Sequence, residues 1–128
     1  MDKSPHERRK FALELLRRRL GRTPEQCISV SRFYPAGKSW TRSPVWWFDL
    51  PLSKLQGPKC STVYLMCEKE VGSDFIILKV PASHVLDNLN SLCIAKNQTV
   101  RLHLSARQQD LFVDLRGKPH LAFAQWAM

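Results

Sequence analysis

Val45-Trp46-Trp47-Phe48-Asp49-Leu50-Pro51 sets three aromatic side chains in a row, follows them with one acid and stops at a proline. Successive side chains of a strand point to opposite faces, so Trp46 and Phe48 share one face while Trp47 and Asp49 share the other. Each face then carries a large ring. That predicts a strand covered on both sides, the aromatic middle of a core, with Pro51 ending its pairing.

Upstream of this stretch the chain is basic. Residues 1–44 hold eleven Lys/Arg against four Asp/Glu, whereas residues 45–128 hold nine against seven, within a total net charge of +9. A field concentrated in one segment points to a polyanionic partner. Its 128 residues, 44% hydrophobic and 24% charged, can bury one core, and we read 1–128 as a single domain with a basic part (1–44) and a core (45–128).

No apolar run approaches the ~20 residues that span a bilayer, so no membrane association is expected. The apolar residues of 11–16 are interrupted by Glu14 and run into Arg17-Arg18-Arg19, unlike a secretory signal, and Asp2, Glu7 and Glu14 disfavour a mitochondrial presequence. A cytoplasmic location is expected. Cys27, Cys60, Cys67 and Cys93 include no C-x-x-C pair, so neither a zinc site nor a disulfide is expected. Cys67 and Cys93 read as small buried hydrophobes in a reducing compartment.

Ser4-Pro5-His6-Glu7 is a capping box with proline at the first helical position, and it predicts a helix to Leu20 that Gly21 stops. Thr23 to Gln26 reads as a turn and Cys27 to Tyr34 as one strand. After Pro51, residues 52–55 are expected to form only a turn. Strands are predicted over Thr62–Glu68 and Asp74–Val80, joined by a polar hairpin connection through 68–73. The second is apolar on both faces and so is expected to be central. A helix is predicted over 82–92, then strands over 99–104 and 111–115. Phe123 and Trp126 of the tail are expected to pack on the sheet. No internal repeat is apparent. The fold class is α+β, a mixed and mainly antiparallel sheet of five or six short strands with two helices.

Between Arg32 and Arg42 the sequence interleaves Arg32, Tyr34, Lys38, Trp40 and Arg42 around glycine and serine. Cations neutralise phosphates and flat rings stack on unpaired bases, so this mixture suits a nucleic-acid surface. Arg17 and Arg18 can join it, although the negative end of the helix dipole also accounts for them.

The element order resembles the core of the PD-(D/E)XK, or restriction-endonuclease-like, superfamily, with Phe75-Ile76-Ile77-Leu78-Lys79-Val80-Pro81 similar to its third strand. The resemblance implies a nuclease using Asp49, Glu68 and Lys79 with Mg2+. The position two before Lys79 is Ile77, however, which cannot bind metal, so the resemblance is to a degenerate site. His103-Leu104-Ser105 resembles one of the two His-x-Ser/Thr motifs of the 2H phosphoesterases, but His84 and His120 supply no second copy. On an alternating strand His103 is then expected at the surface.

The sequence therefore predicts a non-catalytic nucleic-acid-binding or accessory domain, DNA or RNA undecided, that needs no cofactor. The alternatives are a metal-dependent nuclease with a rearranged site, and a protein-interaction module that docks on a protein partner or a second copy of itself. Asp49 is expected to end its strand by accepting backbone hydrogen bonds rather than to catalyse.

Overall fold

The computed structural model describes residues 4–22, 27–39, 41–70 and 74–128. It is an α+β structure in three layers. Helix α1 (Pro5–Leu20) covers a three-stranded sheet made of β1 (Ile28–Ser31), β4 (Thr62–Glu68) and β5 (Phe75–Pro81), in the order β1-β4-β5. That sheet packs against a second one of four strands, in the order β2-β3-β7-β6. Its members are β2 (Phe33–Tyr34), β3 (Val45–Pro51), β6 (Cys93–Ile94) and β7 (Thr99–Ser105). Among the described residues only β1 and β4 pair in parallel. Seven strands in two sheets, counted among the described residues, replace the single sheet of five or six.

Ser4 caps the helix as expected: its Oγ accepts from the Glu7 amide at 3.1 Å and donates to Glu7 Oε1 at 3.1 Å, and Gly21 takes the left-handed conformation at φ 74°. Ala12 and Leu16 of α1 meet Ile28, Tyr64, Met66, Phe75 and Ile77 on one side of the first sheet. The other side of that sheet sends Val63, Leu65, Cys67, Leu78 and Val80 into the main core. There they meet Trp46, Phe48 and Leu50 of β3 and Val100, Leu102 and Leu104 of β7.

This layering explains why β5 is apolar on both faces and yet lies at the sheet's edge rather than its centre. It is sandwiched between α1 and the second sheet. Ala127 bridges to Leu78 along its outer edge, and the Met128 amide donates to the Ile77 carbonyl at 3.0 Å. Phe123 is buried and Trp126 packs beside it, as the sequence suggested.

The expected strand over 27–34 is two strands. It leaves one sheet at Ser31 and enters the other at Phe33, with Arg32 as the corner. The turn at 52–55 is a short helix, α2 (Leu52–Gln56), which buries Leu52 and Leu55. The helix over 82–92 ends early: α3 covers only Ala82–Leu86, and a separate 3-10 turn covers Leu89–Ser91. The Asn88 amide side chain donates to the His84 carbonyl at 2.7 Å, satisfying a terminal acceptor and stopping the helix. Residues 111–115 form isolated bridges instead of a strand, because Phe112 sits at φ 64°, outside extended space.

A repeat that periodicity hides is visible in three dimensions. Asp49-Leu50-Pro51-Leu52-Ser53-Lys54-Leu55 and Lys79-Val80-Pro81-Ala82-Ser83-His84-Val85 each run from a strand through a proline into a short helix. Leu52 N donates to Gln98 O at 2.9 Å and Ala82 N to Ser61 O at 2.8 Å, in both units the residue just before the neighbouring strand. The two prolines share nearly the same conformation, φ −61° with ψ 131° and 135°.

Cys27 and Cys60 form a disulfide across a sequence separation of 33, with Cα atoms 5.4 Å apart. This corrects the expectation of unpaired cysteines. The spacing of the two residues in sequence carried no sign of it, because the fold brings the start of β1 to the approach of β4. Cys67 is buried and free, and burial pushes its thiol well above the ordinary cysteine range. Cys93 is half-buried. No helix among the described residues is long and apolar enough to cross a membrane.

Candidate nucleic-acid interface

Register fixes what the outer face of the second sheet presents. Cross-strand partners share a face, so Tyr34 (opposite Val45), Trp47 (opposite His103) and Asp49 (opposite Arg101) all lie on it. Their rings form a row. The Arg32 guanidinium lies 5.4 Å from the Tyr34 ring centre, Tyr34 is 6.2 Å from Trp47, and Trp47 is 4.7 Å from His103. Phe33 and Trp46 point the other way and stack edge-on in the core.

Trp47 is the accessible member, 37% exposed. The expectation that both faces of β3 are covered therefore holds only for the Trp46–Phe48 face. Its indole N–H donates to Asp49 Oδ1 at 3.2 Å, and the same oxygen lies 3.6 Å from Arg101 Nε. Asp49 thus fixes side chains on the sheet surface rather than capping its own strand.

His103 is buried, not on the surface. The loop after β7 folds over it and is held by the Asp114 carboxylate. One oxygen accepts from the His103 and Arg116 amides at 2.9 and 3.2 Å, and the other accepts from the Gly117 amide at 3.0 Å. Gly117 has no alternative: a Cβ there would sit 1.9 Å from the Ser91 carbonyl oxygen. Burial lowers the His103 pKa below the ordinary histidine value and nearby Arg116 lowers it further, against the opposing pull of Asp114 and Asp49. The imidazole is neutral at pH 7, so the row is cationic only at its Arg32 end.

Beside Tyr34 and Trp47 opens a cleft of about 370 Å³, floored by Ser31 and walled by Pro5, Arg8 and Arg32. Arg8 is buried in its wall and bonds Glu68 Oε1 through Nε at 3.1 Å. The Glu68 carbonyl in turn accepts from the Trp46 indole at 2.8 Å. One residue at the end of β4 therefore ties α1 to β3. Ser31 holds the cleft's floor: its hydroxyl accepts from the Trp47 amide at 2.8 Å and donates to the Arg32 carbonyl at 2.7 Å.

Of the residues singled out from sequence, the fold brings Arg32 and Tyr34 together. Lys38 ends an exposed 3-10 turn (Ala36–Lys38), and Arg42 is exposed at φ 59° in the following loop. Trp40 lies outside the described residues. Arg17 and Arg18 stand in the last turn of α1, roughly 18 Å along the axis from Pro5, and do not join the cleft.

Asp49, Glu68 and Lys79 are not brought together. Asp49 is on the second sheet. Glu68 pairs with Phe75, and Lys79 pairs with Tyr64, four residues back along β4 and about 13 Å away. Among the described residues no group of three or more His, Cys, Asp or Glu side chains could hold a metal ion. The residues missed from sequence are Trp47, Arg8 and Ser31. The signal for Trp47 was its alternation with Asp49, since an acid marks the wet face of a strand. Comparison with family models, curated proteins and solved structures gives no match for this chain.

Proposed function

We propose that this protein is a non-catalytic domain that binds single-stranded nucleic acid on the outer face of its second sheet. The observation that carries this reading is the row Arg32–Tyr34–Trp47–His103, with an exposed indole at its centre and arginine at one end. Every base has a π-face, so such a row binds with little sequence preference, at ~1–3 kcal/mol per stacked base. The cleft beside it takes the phosphate, with Arg32 as the cation. A duplex hides its base faces and engages the same surface only through its backbone.

The test is a titration of single- and double-stranded DNA and RNA at two salt concentrations, read by tryptophan fluorescence. Single strands should bind more tightly than duplexes, and raising the salt should weaken both. Trp47→Ala, Tyr34→Ala and Arg32→Ala should each weaken single-strand binding by about tenfold, in line with the loss of one stacked base or one charge-assisted contact. Absence of binding at low salt would sink the proposal.

A further inference from the structure

A second cleft, of about 360 Å³, lies on the far side of the first turn of α1. Pro5 and Val30 line both clefts, so the start of the helix bridges one groove with two mouths. The groove follows the seam between β1 and β3, where the chain passes from one sheet to the other. At the second mouth stand two cations, Arg9 of α1 and Lys54 of α2, and the Asp49 carboxylate that accepts from the Trp47 indole lines the same cleft.

Lengths agree with a nucleic-acid path. From Trp47 to Pro51, β3 advances about 13 Å. Stacked single strands rise about 3.4 Å per nucleotide, and extended ones roughly twice that, so the seam spans about two extended nucleotides. Charge agrees as well. Arg32 marks one end and Arg9 with Lys54 the other, while Asp49, paired with Arg101 at 3.6 Å, leaves the middle without net positive charge. What Asp49 favours there is the amino edge of a base, which donates hydrogen bonds to a carboxylate.

Resting on the proposed single-strand reading, we infer that the second cleft is a distal phosphate subsite. The strand stacks a base on Trp47, crosses the β1–β3 seam past the first turn of α1, and gives a later phosphate to Arg9 and Lys54. The footprint is three nucleotides rather than one.

The experiment measures affinity for oligonucleotides two, three, four and six nucleotides long, for the unaltered protein, Trp47→Ala and Arg9→Ala/Lys54→Ala. Affinity should rise between two and three nucleotides. The double variant should lose about tenfold on the hexamer and flatten its salt slope by about 1.4, two contacts at ~0.7 each, while leaving the dinucleotide unchanged. Arg9 is exposed and Lys54 half-buried, so folding should survive; Lys54→Gln alone, with about half the loss, repeats the test if it does not. A hexamer affinity unaffected by these changes but weakened by Trp47→Ala overturns the subsite and leaves the stacking face standing. Equal losses for dinucleotide and hexamer also overturn it, since they mark a diffuse field. No binding by the unaltered protein at any length overturns the stacking face itself.

Discussion

Replacing Arg8 by Met tests how the first turn of α1 is anchored. The guanidinium and the Glu68 carboxylate lie 3.1 Å apart with side chains only 10% and 12% exposed. Water does little to screen such a pair, and removing one partner deprives the other, still buried, charge of this contact. The expected cost is about 3 kcal/mol, the lower end of the range for breaking a buried pair. At this chain length that is a fall in Tm of roughly 12 °C, at about 4 °C per kcal/mol. Glu68→Leu should cost a similar amount. The double variant Arg8→Met/Glu68→Leu removes both charges and fills the space with methylenes, so it should recover most of the loss. Thermal and urea denaturation of the four proteins form a double-mutant cycle whose coupling energy should be about 4–5 kcal/mol, the two single costs less a residual ~1–2 for the double. Single variants within ~0.5 kcal/mol of the parent, or a strictly additive double, would refute the reasoning: the pair would then be solvated like a surface bridge.

Three other outcomes are expected. Reducing the Cys27–Cys60 disulfide reopens a loop of 33 residues, which on chain entropy should lower stability by roughly 3.5–4 kcal/mol, measured by urea unfolding with and without reductant. Because His103 is held below its ordinary pKa, the unfolded chain binds a proton that the folded chain resists. Stability should therefore be full above about pH 6.5 and fall as the pH drops toward the folded pKa, and a less steep loss of Tm between pH 7.5 and 5 in His103→Gln would confirm the source. Phe48→Ala empties a fully buried site in the main core and should cost about 3–5 kcal/mol, against less than ~0.5 for Lys79→Ala at the surface; chemical denaturation of both variants measures the contrast.

Features that depend on near neighbours in sequence were legible. The capping residue and Gly21 bounded α1 closely, and the patterns of residues 62–68 and 45–50 placed two strands. What was not legible depends on contacts far apart in the chain. Whether Trp47 is covered is decided by what lies over β3, and no local pattern says that this side stays open. His103 looked like a surface residue because its strand alternates, but Asp114, eleven residues on, pulls a loop over it. Arg32 read as part of a strand because nothing at that residue announces a change of sheet. The proposed binding surface was legible as a composition, cations mixed with rings. Its geometry pairs Arg32 and Tyr34 with Trp47, a residue that had been assigned to the interior.

The hydroxyl of Ser31 stands where a neighbouring strand's carbonyl would otherwise receive the Trp47 amide, while the indole N–H of the same residue reaches Asp49. Trp47 therefore carries two spectroscopically separate protons, one facing the Arg32 side of the groove and one facing the Asp49 side. In a nitrogen-labelled sample each gives its own resonance, in different regions of the spectrum. A single residue then serves as a built-in pair of probes, able to report which half of the groove a ligand reaches first.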